Sequence, residues 1–306
     1  MDDDEFKIEF NKKRSQYNQV RLIKECFYHR KEECKGKIKQ AHSIQQNKRL
    51  SILTEIIDGN EKLYTFTCFE TSKNHFVEKL IPIGKGKAST FFGFCDYHDS
   101  VLFSEIENNE FKDNYEHRFL HSYRSFAHSY HRKMEETKGN LSEDNPIKKD
   151  NTEEFNKTFL SGNLMAVNDL NKHKKLLDTW IENKQFDEIE SLSYVLPELY
   201  PIACSSLISP FFTPKGRPFN YHDNPNIPFS PIMLTVLPDF NQTIIIISCF
   251  GNDNMGTELL DEIDGLSNYH FLKFISTMMI YFAENTFFSP LIWQTLGQKG
   301  RRLLCD

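Results

Sequence analysis

The chain has 306 residues, 39% of them hydrophobic and 13% aromatic, with 27 Phe and a formal net charge of −6. That composition excludes a disordered chain and leaves room for one large or two ordinary domains. The longest apolar run, Thr243–Phe250, is far shorter than the ~20 residues of a spanning helix, and Tyr269–Ala283 is interrupted by His270 and Lys273.

In chain order, the start MDDDEFKIEF is acidic and alternating, without the pattern of a secretory leader. A reducing cytoplasmic setting with no membrane partner is therefore expected, where free thiols serve metal binding or packing. Residues 11–50 carry 12 Lys and Arg against 3 Glu. Such a basic block suits either a phosphate backbone or a solvated helix face. Residues 11–25 read as a basic helix or an extended lead-in. The loop Cys26–Cys34 (CFYHRKEEC) comes next, with a candidate ligand at each end, and then a strand holding Ile38 and Ala41. Ser43 with Gln46 has the spacing of a capping box.

Lys62–Phe69 and Val77–Ile83 alternate and predict a hairpin. Gly84–Thr90 (GKGKAST) is a basic turn. It lacks the spacing of a phosphate-binding loop, because Ala88 comes directly after Lys87. Thr90–Glu107 predicts a strand, a tight turn carrying Cys95-x-x-His98, and a helix.

Tyr115–Glu136 is helical in period, with Phe119, Tyr123, Phe126, Tyr130 and Met134 as its buried stripe. A neighbouring stripe holds His117, His121, Arg124, His128 and His131. It is either a polar flank or a face for phosphate oxygens, and His117 and His121 have the i, i+4 spacing that can share a metal.

Residues 138–158 are polar and aperiodic and predict a linker between a first domain (1–137) and a second (159–306). In the second, a helix is expected over Phe159–Glu190. Prolines 197 and 201 restrict Glu190–Ser209 to irregular or edge strand. His222-Asp223 falls in a Pro/Asn-rich surface loop. Two strands come after it, Ile232–Leu237 and Thr243–Phe250, the second a continuous apolar run that predicts cover on both faces. One long helical region over Leu259–Ala283 and a short helix from Ser289-Pro290 complete an α+β second domain.

The seven cysteines are too dispersed for a disulfide scaffold. Cys26, Cys34, Cys95 and His98 make a Cys₃His set of the kind that closes a structural zinc site. The step from 26 to 34 is wide, and His29 or His42 is an alternative ligand. Cys68, Cys204, Cys249 and Cys305 are expected to be packing residues.

The runs CKGKIKQAHSIQQNKRL, ASTFFGFCDYHDSVLFSEIE and EHRFLHSYRSFAHSYHRK, within residues 26–132, resemble a group of bacterial proteins without an assigned activity. Their shared pattern is C…C-x-x-x-I-x-x-[AS]-H-x-I-Q, then F-x-G-F-C-x-x-H-D-x-x-x-F-x-x-I-E, then a helix with F-L-x-x-Y-R. The resemblance implies one constellation of Cys26, Cys34, His42, Cys95, His98, Asp99, Glu107 and Arg124. More distantly, the order of ligands resembles the treble-clef HNH nucleases. That likeness implies a treble-clef-like zinc knuckle with His42 as general base and Asp99 holding a divalent Mg²⁺ or Mn²⁺. Glu107, or a histidine of the 117–131 face, would complete the site, with Arg124, Lys37 and Lys39 on the phosphates of DNA or RNA. A role in defence against phage or mobile elements would follow. Ala41 stands where those nucleases carry an acid, and Cys-x-x-His-Asp replaces Cys-x-x-Cys-His. The other reading is a non-catalytic module held together by zinc, whose C-terminal domain binds a partner protein or a regulatory ligand.

Overall fold

The computed structural model describes residues 3–72, 75–146, 148, 152–221 and 227–296, without the side chains of 3–4, 68–72 and 75–79. Helix α1 (Asp3–Arg21) leads through a loop to β1 (Ile38–His42), β2 (Glu55–Ile57), β3 (Asn60–Ser72), β4 (His75–Gly84) and β5 (Thr90–Cys95). Three helices succeed them, α2 (Asp96–Asn108), α3 (Tyr115–Leu141) and α4 (Glu153–Asn183). Next come β6 (Ile189–Leu196), β7 (Ile202–Ile208), β8 (Ile232–Asp239) and β9 (Gln242–Phe250). The described chain ends with α5 (Asn254–Asp264), α6 (Asn268–Tyr281), β10 (Thr286–Phe288) and α7 (Pro290–Thr295). The fold is α+β.

β1 and β5 form a small antiparallel ribbon, with Ile38 opposite Cys95. The other strands make one eight-stranded sheet in the order β2-β3-β10-β7-β8-β9-β6, with β4 paired to β3. Strands from residues 1–137 and from 159–306 thus share hydrogen bonds, because β10 pairs with both β3 and β7. Segment 138–158 holds the end of α3 and the start of α4.

The pleat of β9 explains its unbroken apolar run. Ile245, Ile247 and Cys249 point to a core shared with α5 and α6. Ser248 and Phe250 point the other way, toward α3. Both faces are covered, so alternation of polarity is lost. Where α3 crosses the sheet, small hydroxyls one and two turns apart fill the seam. Ser122 donates to Ser248 at 2.8 Å, Ser125 lies 2.8 Å from Ser205 and 3.0 Å from Thr235, and Ser129 accepts from the Leu207 N–H at 3.0 Å. The buried hydroxyls among them, Ser122, Ser125, Ser205, Thr235 and Ser248, all have partners, as burial requires.

The predicted stripe of α3 is buried at Phe119, Tyr123 and Phe126. The histidine stripe beside it is buried too, at His117, His128, His131 and Arg124, with His128 and His131 against Phe91 of β5. The helix lies between the knuckle, α4 and the sheet, so little of its circumference reaches water. Two expectations are corrected. Ser43 caps no α-helix; its Oγ accepts from Asn285 Nδ2 at 2.8 Å, and a turn comes after it. Residues 259–283 form two helices, because the chain breaks at Gly265 and Ser267 caps a new start by accepting from His270 N–H. His222-Asp223 and Cys305 lie outside the described residues. No described helix is long and apolar enough to cross a membrane.

Candidate metal centre and the adjoining histidine site

The knuckle is built where β5 turns into α2. Cys95 is the N-cap of α2, and its Sγ accepts from the His98 N–H at 3.4 Å, so sulfur and imidazole are brought onto one side of the turn. The β1–β5 ribbon is extended by Asp96 N–H to Lys37 O (3.0 Å) and Tyr97 N–H to Lys35 O (3.3 Å). Gly36 permits this. It has φ +77°, and a Cβ there would sit 2.6 Å from Asp96 Oδ2. Cys26 arrives on an extended segment held along β5 by Phe27 N–H to Gly93 O at 2.5 Å.

Cys26, Cys34, Cys95 and His98 converge, with their ligand atoms all within 4.8 Å of one another. His98 Nδ1 lies 3.4 Å from Cys26 Sγ, 3.6 Å from Cys34 Sγ and 3.3 Å from Cys95 Sγ. A tetrahedral ion with Zn–S near 2.3 Å and Zn–N near 2.0 Å sets sulfur and nitrogen roughly 3.6 Å apart. The donor set and its spacing therefore fit zinc bound through Nδ1. The outer nitrogen, Nε2, has no hydrogen-bond partner and faces Glu33 Oε2 at 3.9 Å, as the proton-bearing side of a ligand imidazole would. Burial pushes the Cys26 thiol up and, with Cys26 beside it, the Cys34 thiol to about 12. Burial also acts upward on Cys95, but the His98 and Lys35 amides and the neighbouring thiols outweigh it and bring that thiol down. Four protein ligands fill a tetrahedral shell, so the site is of the structural kind.

The alternative ligands go elsewhere. His29 Nε2 lies 2.9 Å from Glu182 Oε2 on α4, beside Arg30, which also pairs with Glu182. His42, on β1, is held by its Nδ1, 2.9 Å from Ala88 O. A carbonyl only accepts, so Nδ1 carries the proton in the neutral ring and Nε2 is the basic nitrogen. Burial lowers the affinity of His42 for a proton, Arg124 adds to this, and the Ala88 carbonyl, Asp99 and Glu107 oppose it.

Of the residues implied to accompany His42, Asp99, Glu107 and Arg124 form one ion-pair group whose charges act on its proton affinity. Asp99 and Glu107 are two turns apart on α2 and meet Arg124 of α3. Arg124 donates to Glu107 Oε1, lies 3.7 Å from Asp99 Oδ1 and covers the Phe103 ring at 4.2 Å. Lys39 reaches Asp99 Oδ2 at 3.1 Å. Lys37 is exposed, and its backbone N–H donates to Asp96 Oδ2 at 3.1 Å. Two residues not singled out from sequence belong to the same region. Gln45 Nε2 donates to Glu107 O at 2.8 Å, fastening the end of α2. Arg49 is buried against Asp239 at 2.5 Å. Of these two only Gln45 carried a sequence signal, as the last residue of the His-x-Ile-Gln run. His121, from the α3 stripe, joins them: burial first, then Arg124, Arg49 and His117, hold its imidazole well below the ordinary histidine range.

The divalent-ion site implied for Asp99 does not fit this arrangement. Among the described residues the Cys₃His group alone gathers three or more His, Cys, Asp or Glu ligand atoms. Asp99 and Glu107 face Arg124 and Lys39, cations that occupy the electrostatic place of an ion. Nor do His117 and His121 share a metal: His117 accepts the Lys112 N–H at 3.3 Å and has Glu105 Oε1 at 3.2 Å from Nε2. Cys204 and Cys249 are buried in the sheet, which lifts both thiols to about 12. The Cys68 side chain lies outside the described residues.

The chain therefore carries a Cys₃His centre compatible with zinc and, beside it, a histidine with a fixed tautomer next to a buried arginine–carboxylate group. A scan of family models and searches of curated proteins and of solved structures find no match to it.

Proposed function

We propose that the chain is a zinc-stabilised nucleic-acid-binding protein with a phosphodiester-cleaving centre at His42. The observation that supports this reading is the Nδ1–H contact of His42 with Ala88 O, which leaves Nε2 as a base beside Arg124. In that role Nε2 takes the proton of an attacking water, and its lowered proton affinity keeps it free to do so at neutral pH. Arg124, its guanidinium oriented by Glu107, and Lys39 and Lys37 on the neighbouring strand supply positive charge to the phosphate oxygens. Asp99 positions Lys39 and Arg124. The cluster does not form a divalent-ion shell, so no step is assigned to Mg²⁺ or Mn²⁺. The knuckle zinc serves by holding β1, β5 and α2 in register.

A second reading is favoured by one observation: both carboxylates are already engaged by cations, as in a purely structural ion-pair network. The protein would then bind without cleaving. Incubating plasmid DNA and structured RNA with the purified protein, with Mg²⁺, with Mn²⁺ and with neither, separates the two. Cleavage that disappears in His42→Ala supports the first reading. Equal loss of nucleic acid with wild type and His42→Ala, or none with either, would sink it.

A further inference from the structure

A large cavity lies away from both the Cys₃His group and His42. About 1150 Å³ of space lies between α3, the first half of α4, the C-terminal end of β7 and the segment 227–231. Small-molecule sites occupy ~300–1,000 Å³, so the volume is ample for one ligand of nucleotide size. The first half of α4 is only loosely covered by the rest of the protein. Before Leu177 its sole buried residue is Asn163, and Phe155, Phe159, Leu164 and Met165 are each at least 40% exposed.

The lining of the cavity is both cationic and aromatic. Arg21 of α1 and Arg132 of α3 line it, with Asn140 and Tyr17. These arginines are close enough to repel: burial first, and then Arg132, lower the proton affinity of the Arg21 guanidinium. The nearby acids are engaged. Glu135 accepts from the Ile23 N–H at 3.3 Å and lies 3.6 Å from Arg132, and Glu136 pairs with Lys133 at 2.6 Å. Asn140 accepts from Tyr17 OH at 3.4 Å, while its buried Nδ2 has no hydrogen-bond partner. A buried donor without an acceptor costs free energy unless something fills the space beside it. Phe155 and Phe159, at the start of α4, also line the cavity and stack at 5.7 Å with ring planes 10° apart, 53% and 45% exposed.

We propose that this cavity binds a nucleotide, with phosphate at Arg21, Arg132 and the Asn140 amide and the base on the Phe155–Phe159 pair. Two guanidinium forks and an unused N–H donor are an acceptor-seeking set that phosphate oxygens satisfy. Flat, exposed rings give a base a stacking surface at small entropic cost. Neither His42 nor a zinc ligand lines the cavity, so this site stands apart from the proposed cleavage centre and its test does not depend on it.

The test is calorimetric titration of the zinc-loaded full chain with adenine and guanine mono-, di- and triphosphates, with cyclic mono- and dinucleotides, and with inorganic phosphate. At least one nucleotide should bind with Kd below about 100 μM and more tightly than phosphate alone. Arg132→Ala should weaken it at least ~10-fold through the lost charge-assisted contact. Phe159→Ala should weaken it by a factor of about 3 or more through lost stacking. Both side chains are substantially exposed, so the variants keep the fold. His42→Ala should bind as wild type does. Absence of binding across the panel at about 1 mM, inorganic phosphate binding as tightly as any nucleotide, or affinities unchanged in both Arg132→Ala and Phe159→Ala would each overturn the proposal.

Discussion

Protonation of His128 should destabilise the fold by an amount the structure allows to be worked out. The ring sits on α3, 6% exposed, with its edge against Phe91 at 5.2 Å. Burial, with smaller contributions from Arg132 and His131, depresses its value from 6.5 to about 3. The folded protein therefore holds His128 neutral where the unfolded chain takes up a proton. The associated stability is complete above the unfolded value of 6.5 and drains away as pH falls toward 3. Each unit in that window is worth about 1.4 kcal/mol, so between pH 7 and pH 5 the loss from this one residue is about 2 kcal/mol. Urea unfolding of wild type and His128→Gln at both pH values isolates it. Burial also lowers His42, His131 and His173, and their effects cancel in the difference. Wild type should lose about 2 kcal/mol more than the variant. Pairs of curves that shift equally, within about 0.5 kcal/mol, would show that His128 is not held neutral by its surroundings.

Other perturbations probe other parts of the molecule. Arg49→Met strands a buried Asp239 carboxylate and should cost about 3–5 kcal/mol by urea unfolding, most of it recovered in the double variant with Asp239→Asn; a loss below ~1 kcal/mol would refute the pairing. Elemental analysis should find one zinc per chain, and Cys95→Ser should lose it together with thermal stability; a variant that retains full zinc would contradict the ligand set. Should cleavage be found, its acid limb must lie below pH 6.5, because the proton affinity of His42 is lowered and the base stays neutral further into acid. An acid limb above that value would exclude His42 as the base.

The parts legible from sequence are those in which neighbouring residues make the structure. Cys95-x-x-His98 is readable because the N-cap geometry that joins its ligands is local, and β9 because a strand covered on both faces leaves an unbroken apolar run. The hidden parts depend on distant partners. His29 has ligand chemistry, and only the arrival of Glu182, 153 residues later, assigns it to an ion pair. The histidine period of α3 was visible, but not that a second layer would bury it. Asp99 was identifiable as a conspicuous acid after the knuckle, whereas its engagement by Lys39 and Arg124 depends on how β1 and α3 pack around α2.

β10 is three residues long and sits between β3 and β7, which belong to opposite halves of the chain. The ribosome must therefore make residue 288 before the sheet can close. Until then β3 and β7 each present an unpaired edge, the kind of surface on which nascent chains associate wrongly. Among the described strands, the one made last by the ribosome is the one that joins the two halves of the sheet, so truncation ahead of it removes the pairing between them.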